Sequence, residues 1–135
     1  MTAGYSGTPL AKKLSLKAGQ RAWFEGTPES VRSEIGPEAV GLLLLAAPEP
    51  PIDAAHVFVT ERSRLEEAVA RLLPRLAPTG FLWVSWPKKA SKVPTDITED
   101  VIREVALPTG LVDVKVCAVD ETWSGLKLMI RRERR

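Results

Sequence analysis

The apolar residues of this chain fall into blocks whose period switches repeatedly between that of a strand and that of a helix. Arg21-Ala22-Trp23-Phe24 reads as a first short strand, and Val40 to Ala46 as a continuous apolar run of the kind found in strands covered on both faces. His56-Val57-Phe58-Val59-Thr60 is a further short buried strand. Leu65, Ala68, Val69, Leu72, Leu73 and Leu76 then recur at helical spacing, with Glu66, Glu67 and Arg71 off the apolar stripe. Phe81 to Trp86 returns to a strand, and Ile97, Val101, Ile102 and Val105 mark another helix. Val112–Val119 and Leu126–Arg131 are two final strands, joined by residues 120–125.

Local signals place the boundaries. Thr8-Pro9 and Thr27-Pro28 each read as an N-cap followed by proline in the first helical position. Pro74 ends or kinks the long helix, and Pro78-Thr79-Gly80 turns the chain into the next strand. Asp96 with Glu99 three residues on resembles a capping box, and Pro108 and Gly110 stop that helix. The connection over residues 120–125 is too short for a crossover, so the last two strands pair antiparallel. Strand–helix alternation closed by a hairpin predicts a single α/β domain over residues 1–135. Its sheet is mostly parallel and Rossmann-like, with helices on both faces and a C-terminal antiparallel hairpin. Residues 1–7 read as a flexible arm and residues 132–135 as a basic tail.

Composition narrows the function classes. A chain of 135 residues with 44% hydrophobic and 27% charged residues has the balance of a soluble globular domain. No apolar run approaches the roughly 20 residues of a membrane span, and the N-terminal residues carry no signal-peptide core. A single cysteine, Cys117, fits a reducing cytoplasm, the expected location. One Cys and one His also argue against a Cys/His zinc site, so no metal is expected. Nineteen basic against seventeen acidic residues argue against nucleic acid as the partner. The absence of asparagine, the lone glutamine and 11 prolines suggest a thermophilic or GC-rich source.

Two resemblances follow from particular residues. His56–Thr60, the helix over Leu65–Leu76, and Ala77-Pro78-Thr79-Gly80-Phe81-Leu82-Trp83-Val84, followed by a helix and a hairpin, resemble the second half of class I methyltransferases. The lead-in Leu14-Ser15-Leu16-Lys17-Ala18-Gly19-Gln20-Arg21-Ala22 is similar to the approach to that fold's first strand. That family carries a glycine-rich turn after strand one and an acidic residue after strand two, for S-adenosylmethionine. Here the turn Glu25-Gly26-Thr27-Pro28-Glu29-Ser30 holds one glycine, and Glu49 is the only acid offered after strand two. No cofactor is therefore expected. The phrases GYSGTPLAKKL, WPKKAS and VCAVDETWSGLKL also resemble an uncharacterised bacterial family of short proteins, which implies no assigned activity.

Ligands of open parallel sheets bind beyond the carboxyl ends of the strands. That rule selects residues 25–30, 47–53, 60–63 and 87–96, together with the hairpin turn. Trp86, Lys88, Lys89, Ser91, Lys92, Asp120 and Trp123 thus form the candidate set, with Glu121 as a second carboxylate. Facing each other across one cleft, these residues suit a small ligand bearing phosphate or carboxylate. The plainer alternative makes Trp83 and Trp86 core residues and the lysines a solvated loop. Other signals are weaker. Ser85-Trp86-Pro87-Lys88 spells S-x-x-K, but Pro87 disfavours the helical turn that dyad needs. Gly4-Tyr5-Ser6-Gly7-Thr8 reads as a terminal arm, Cys117 as an inert strand thiol and His56 as structural. The sequence favours a non-enzymatic domain acting through binding or self-association, including as a homo-oligomer. A small-molecule binder or enzyme using residues 87–96 and 120–125, and a diverged methyltransferase, are the alternatives.

Overall fold

The computed structural model describes residues 8–135; the expected N-terminal arm lies outside them. Six strands form one sheet: β1 (Arg21–Glu25), β2 (Leu43–Leu44), β3 (Ile52–Phe58), β4 (Leu76–Pro87), β5 (Leu111–Ala118) and β6 (Trp123–Ile130). Their order is β2-β1-β3-β4-β6-β5. β1, β2, β3 and β4 are parallel, and β6 is antiparallel to both β4 and β5. The mixed α/β sheet and terminal hairpin agree with the expected class.

Helices α1 (Leu10–Lys13), α2 (Glu29–Ile35), α3 (Pro37–Val40), α4 (Arg62–Leu72) and α5 (Glu99–Ala106) cover both faces. Side chains alternate across a strand, so each strand feeds two cores. Ala55, Val57, Leu82, Val84, Trp86, Leu126 and Leu128 pack under Leu65, Ala68, Val69 and Leu72 of α4 and Ile102 and Ala106 of α5. Ala22, Ala54, Phe81 and Trp83 pack under Leu10 of α1 and Val31 and Ile35 of α2. Trp83, fully buried, fastens α1 to the sheet by donating Nε1–H to the Leu14 carbonyl at 2.8 Å. No helix among the described residues is long and apolar enough to cross a membrane.

Several boundaries depart from expectation. The apolar run Val40–Ala46 yields only the two-residue β2, because α3 occupies Pro37–Val40 and Gly41 turns left-handed at φ 90°. Leu43 is 55% exposed, so the run is an edge rather than a buried strand. Proline, not threonine, occupies the N-cap of α1 and of α2. Thr98 caps α5, accepting from the Val101 amide, whereas Asp96 Oδ1 accepts from the Arg62 amide and serves the first turn of α4. The basic tail turns back on the body, Arg135 Nε donating to the Ile130 carbonyl.

Candidate functional site

The parallel strands end at Glu25, Leu44, Phe58 and Pro87, and β5 runs in the same direction, so the β5–β6 turn shares their edge. β4 continues into Pro87-Lys88 and a short turn at Lys89–Ser91, after which Lys92 adopts a left-handed φ of 60°. The segment then folds back along the sheet edge to α5. Thr95 Oγ1 donates to the Thr60 carbonyl at 2.7 Å, and the Asp96 amide donates to the same oxygen. With Asp96 also bonded to Arg62, this loop is fastened to the start of α4. A cleft of about 580 Å³ opens beneath it, lined by Trp86, Pro87, Lys89, Lys92, Val93, Pro94, Thr95, Ile97, Thr98 and Glu99. Trp86 and Ile97 are 8% and 2% exposed, so they form an apolar floor rather than free side chains. Glu99 Oε2 accepts from Arg103 at 2.9 Å, and no carboxylate among the described residues pairs with Lys89 or Lys92.

The seven sequence candidates divide. Trp86, Lys89 and Lys92 line the cleft. Lys88 joins the two candidate loops through its backbone, its amide donating to the Thr122 carbonyl at 2.7 Å. Ser91 closes the local turn, its hydroxyl donating to the Lys88 carbonyl at 2.6 Å and accepting from the Val93 amide. Asp120 Oδ1 accepts from the amides of Thr122 and Trp123 at 2.8 and 2.7 Å, which commits that carboxylate to building the hairpin turn. Trp123 pairs with Pro87 across β4 and β6, whereas Trp86 pairs with Ser124. Opposed residues share a face and neighbours alternate, so the two tryptophans lie on opposite faces of the sheet. Trp123 packs edge-on to Phe58 at 5.1 Å between ring centroids. WPKKASK and DETWSG therefore meet at the sheet edge with their tryptophans on opposite faces. Val93, Pro94 and Thr95 fall within the selected segment 87–96 without being singled out, and Ile97, Thr98 and Glu99 lie beyond it. The signal available was the apolar Val93-Pro94 beside Thr95 and Thr98, residue types that fold loops back on themselves.

At the switch in strand order, between β1 and β3, the turn after β1 lies against the end of β3. Gly26 has φ 70°, and a Cβ there would sit 3.0 Å from the Phe58 carbonyl oxygen. Thr27 Oγ1 is buried without a hydrogen-bond partner. Glu25 is held by Trp23 Nε1 at 2.9 Å and Arg71 Nη2 at 2.8 Å. Residues 45–51 return to the opposite edge, where Arg21, the first residue of β1, donates to the Glu49 and Pro51 carbonyls. The segment 47–53 thus belongs to the amino edge, not the carboxyl edge expected of it. β2 pairs with only the first residues of β1 and ends too early to carry the chain across.

His56, 2% exposed, shares a 2.7 Å hydrogen bond between Nε2 and Ser85 Oγ and stacks on Phe58 at 4.4 Å. Desolvation holds its pKa down at about 3, so the imidazole is neutral. Burial pushes the half-buried Cys117 thiol up, against a smaller opposite effect of Lys13 and Lys115.

No protein-family model and no curated protein matches this chain, so the likeness of its phrases to a family of short bacterial proteins gains no support. Solved structures do match. A SAM-dependent methyltransferase from Aquifex aeolicus superposes with a TM-score of 0.60 at 17% identity, over 89% of this chain and 87% of that one. Precorrin-6y C5,15-methyltransferase from Geobacter metallireducens gives 0.57 at 13% identity, over 90% and 85%. Magnesium protoporphyrin IX methyltransferase from Synechocystis, solved with bound SAM, gives 0.58 at 9% identity, over 90% and 74%. At these identities the likeness carries the architecture and nothing finer: the chain has a methyltransferase-like Rossmann fold.

Proposed function

We propose that this protein binds a small molecule with an apolar body and an anionic group, in the cleft between the carboxyl end of β4 and α5. The observation that carries this reading is the pairing of an apolar floor, Trp86 and Ile97, with the ammonium groups of Lys89 and Lys92, which pair with no carboxylate among the described residues. An apolar floor contributes affinity through area removed from water, and cations at the rim select the charge of the ligand. Glu99, the acid in the lining, is turned to Arg103, a guanidinium it shares with Asp100 and Asp113, rather than to either lysine.

The test is thermal stabilisation by a panel of nucleoside monophosphates and aromatic carboxylates, with binding mapped by NMR. Stabilisation that disappears in Lys89→Ala/Lys92→Ala supports the reading. A panel that shifts nothing near residues 86–99 sinks it.

A diverged methyltransferase is the second reading, favoured by the fold of the structural neighbours and by the unpartnered Thr27 hydroxyl in the turn after β1. The remaining residues do not fit S-adenosylmethionine as the family resemblance would hold it. The single glycine of that turn is used against the Phe58 carbonyl, and Glu49 sits at the wrong edge for the ribose. Calorimetric titration with S-adenosylhomocysteine separates the two readings. Tight binding that perturbs residues 25–28 would replace the first with the second.

A further inference from the structure

A second cationic site lies away from the cleft, where α1 meets the terminal hairpin. We propose that Lys13, Lys115 and Lys127, with the hydroxyl of Ser15, bind a multiply charged oxyanion of the phosphate or pyrophosphate kind. Lys115 and Lys127 are directly opposed across β5 and β6. Like charges in that position oppose strand pairing. A register shift between Asp113 and Lys115 creates the opposition: Val114 is the extra residue, and from Lys115 onward β5 presents the other alternation to β6. Without it, Val114 and Lys127 would face each other. The chain thus uses an irregularity of the ladder to bring two lysines together.

The surroundings add charge and no neutralising group. Lys13 Nζ donates to the Ala118 carbonyl at 2.9 Å, Lys115 Nζ to the Lys13 carbonyl at 3.1 Å, and Lys127 Nζ to Ser15 Oγ at 3.0 Å. Ser15 is one of two non-glycine residues with a left-handed backbone among the described residues, at φ 61°. Every ion pair among the described residues uses an arginine, and residues 1–7 contain no Asp or Glu. Lys127 is held below its usual value, first by burial and then by Lys115 and Lys17. The ammonium groups of Lys13, Lys115 and Lys127 have three donors each and use one apiece in hydrogen bonds to the protein, so the cluster keeps a surplus of donors. Compact point charges of this kind suit the several oxygens of a phosphate group better than a single carboxylate.

The site rests on observations independent of the β4 cleft, so either can fail alone. Inorganic pyrophosphate is titrated at low ionic strength by calorimetry and ³¹P NMR. Wild type is expected to bind. Lys115→Gln and Lys127→Gln should each weaken binding about tenfold, and Lys89→Gln/Lys92→Gln should leave it unchanged. Without anion, Lys115→Gln should melt higher than wild type at low salt, because a like-charge opposition is removed. A lysine serving only the fold predicts a lower melting temperature. Failure to bind millimolar pyrophosphate, or equal binding by Lys115→Gln, overturns the proposal.

Discussion

The buried imidazole of His56 makes a sharp demand on how stability varies with pH. It is the only histidine in the chain, so no other side chain ordinarily titrates between pH 5.5 and 7.5. Its pKa falls from 6.5 in the unfolded chain to about 3 in the fold. With the folded value depressed, the unfolded chain binds more protons throughout this window, and stability rises with pH. The contribution of the neutral imidazole is complete above about pH 7 and is lost as pH falls through 6.5 toward 3. Integrating the linkage relation gives a loss of about 1.4 kcal/mol between pH 7.5 and 5.5, from this group alone. Carboxylate titration adds little above pH 5.5, which is why the window stops there. Urea unfolding at intervals across the window measures the slope. His56→Gln keeps an amide able to bond to Ser85 but cannot take up a proton, so its stability should be nearly flat over the same range. A wild type that is equally flat, or a His56→Gln variant with an unchanged slope, would refute the assignment of a neutral, buried imidazole.

Other substitutions probe the elements that build the sheet edge. Asp96→Ala removes the acceptor for the Arg62 amide and should cost about 1 kcal/mol in urea unfolding, while loosening the loop over the cleft. Thr27→Val replaces a hydroxyl buried without a partner and should raise stability by about 1 kcal/mol, read from the same titration. Trp83→Phe leaves the Leu14 carbonyl unpaired and should cost about 1–3 kcal/mol. Gly80→Ala puts a Cβ 2.6 Å from the Ile52 carbonyl oxygen, so its thermal midpoint should fall further than that of Thr79→Ala on the exposed neighbour.

Local pattern carried the helices and most strands because their signals are contained within one segment. Of the stripe Leu65–Leu76 the part through Leu72 became α4 and Pro74 marked the tighter turn at Leu73–Arg75, but Leu76 opens β4, which also takes in the expected turn Pro78-Thr79-Gly80. The run Val40–Ala46 misled because hydrophobicity alone does not show which neighbour a segment finds. Gly41 bends it away after only Leu43 and Leu44 have paired with β1. Asp96 misled for a related reason: its spacing to Glu99 suited a cap for its own helix, but the orphan amide it reaches is at Arg62, distant in sequence.

The sequence by itself determined the alternation of strands and helices, the antiparallel hairpin, and the concentration of lysines after Pro87. Each follows from side-chain period, backbone restriction at Pro and Gly, or loop length, all local quantities. Only the tertiary structure decided which of those residues meet. Register pairs Pro87 with Trp123 and so separates Trp86 from it by the thickness of the sheet. A ladder irregularity at Val114 sets Lys115 against Lys127, although 12 positions separate them in sequence. Register depends on the packing of whole strands, and a shift of a single residue exchanges the two faces, which no local pattern in this chain could fix.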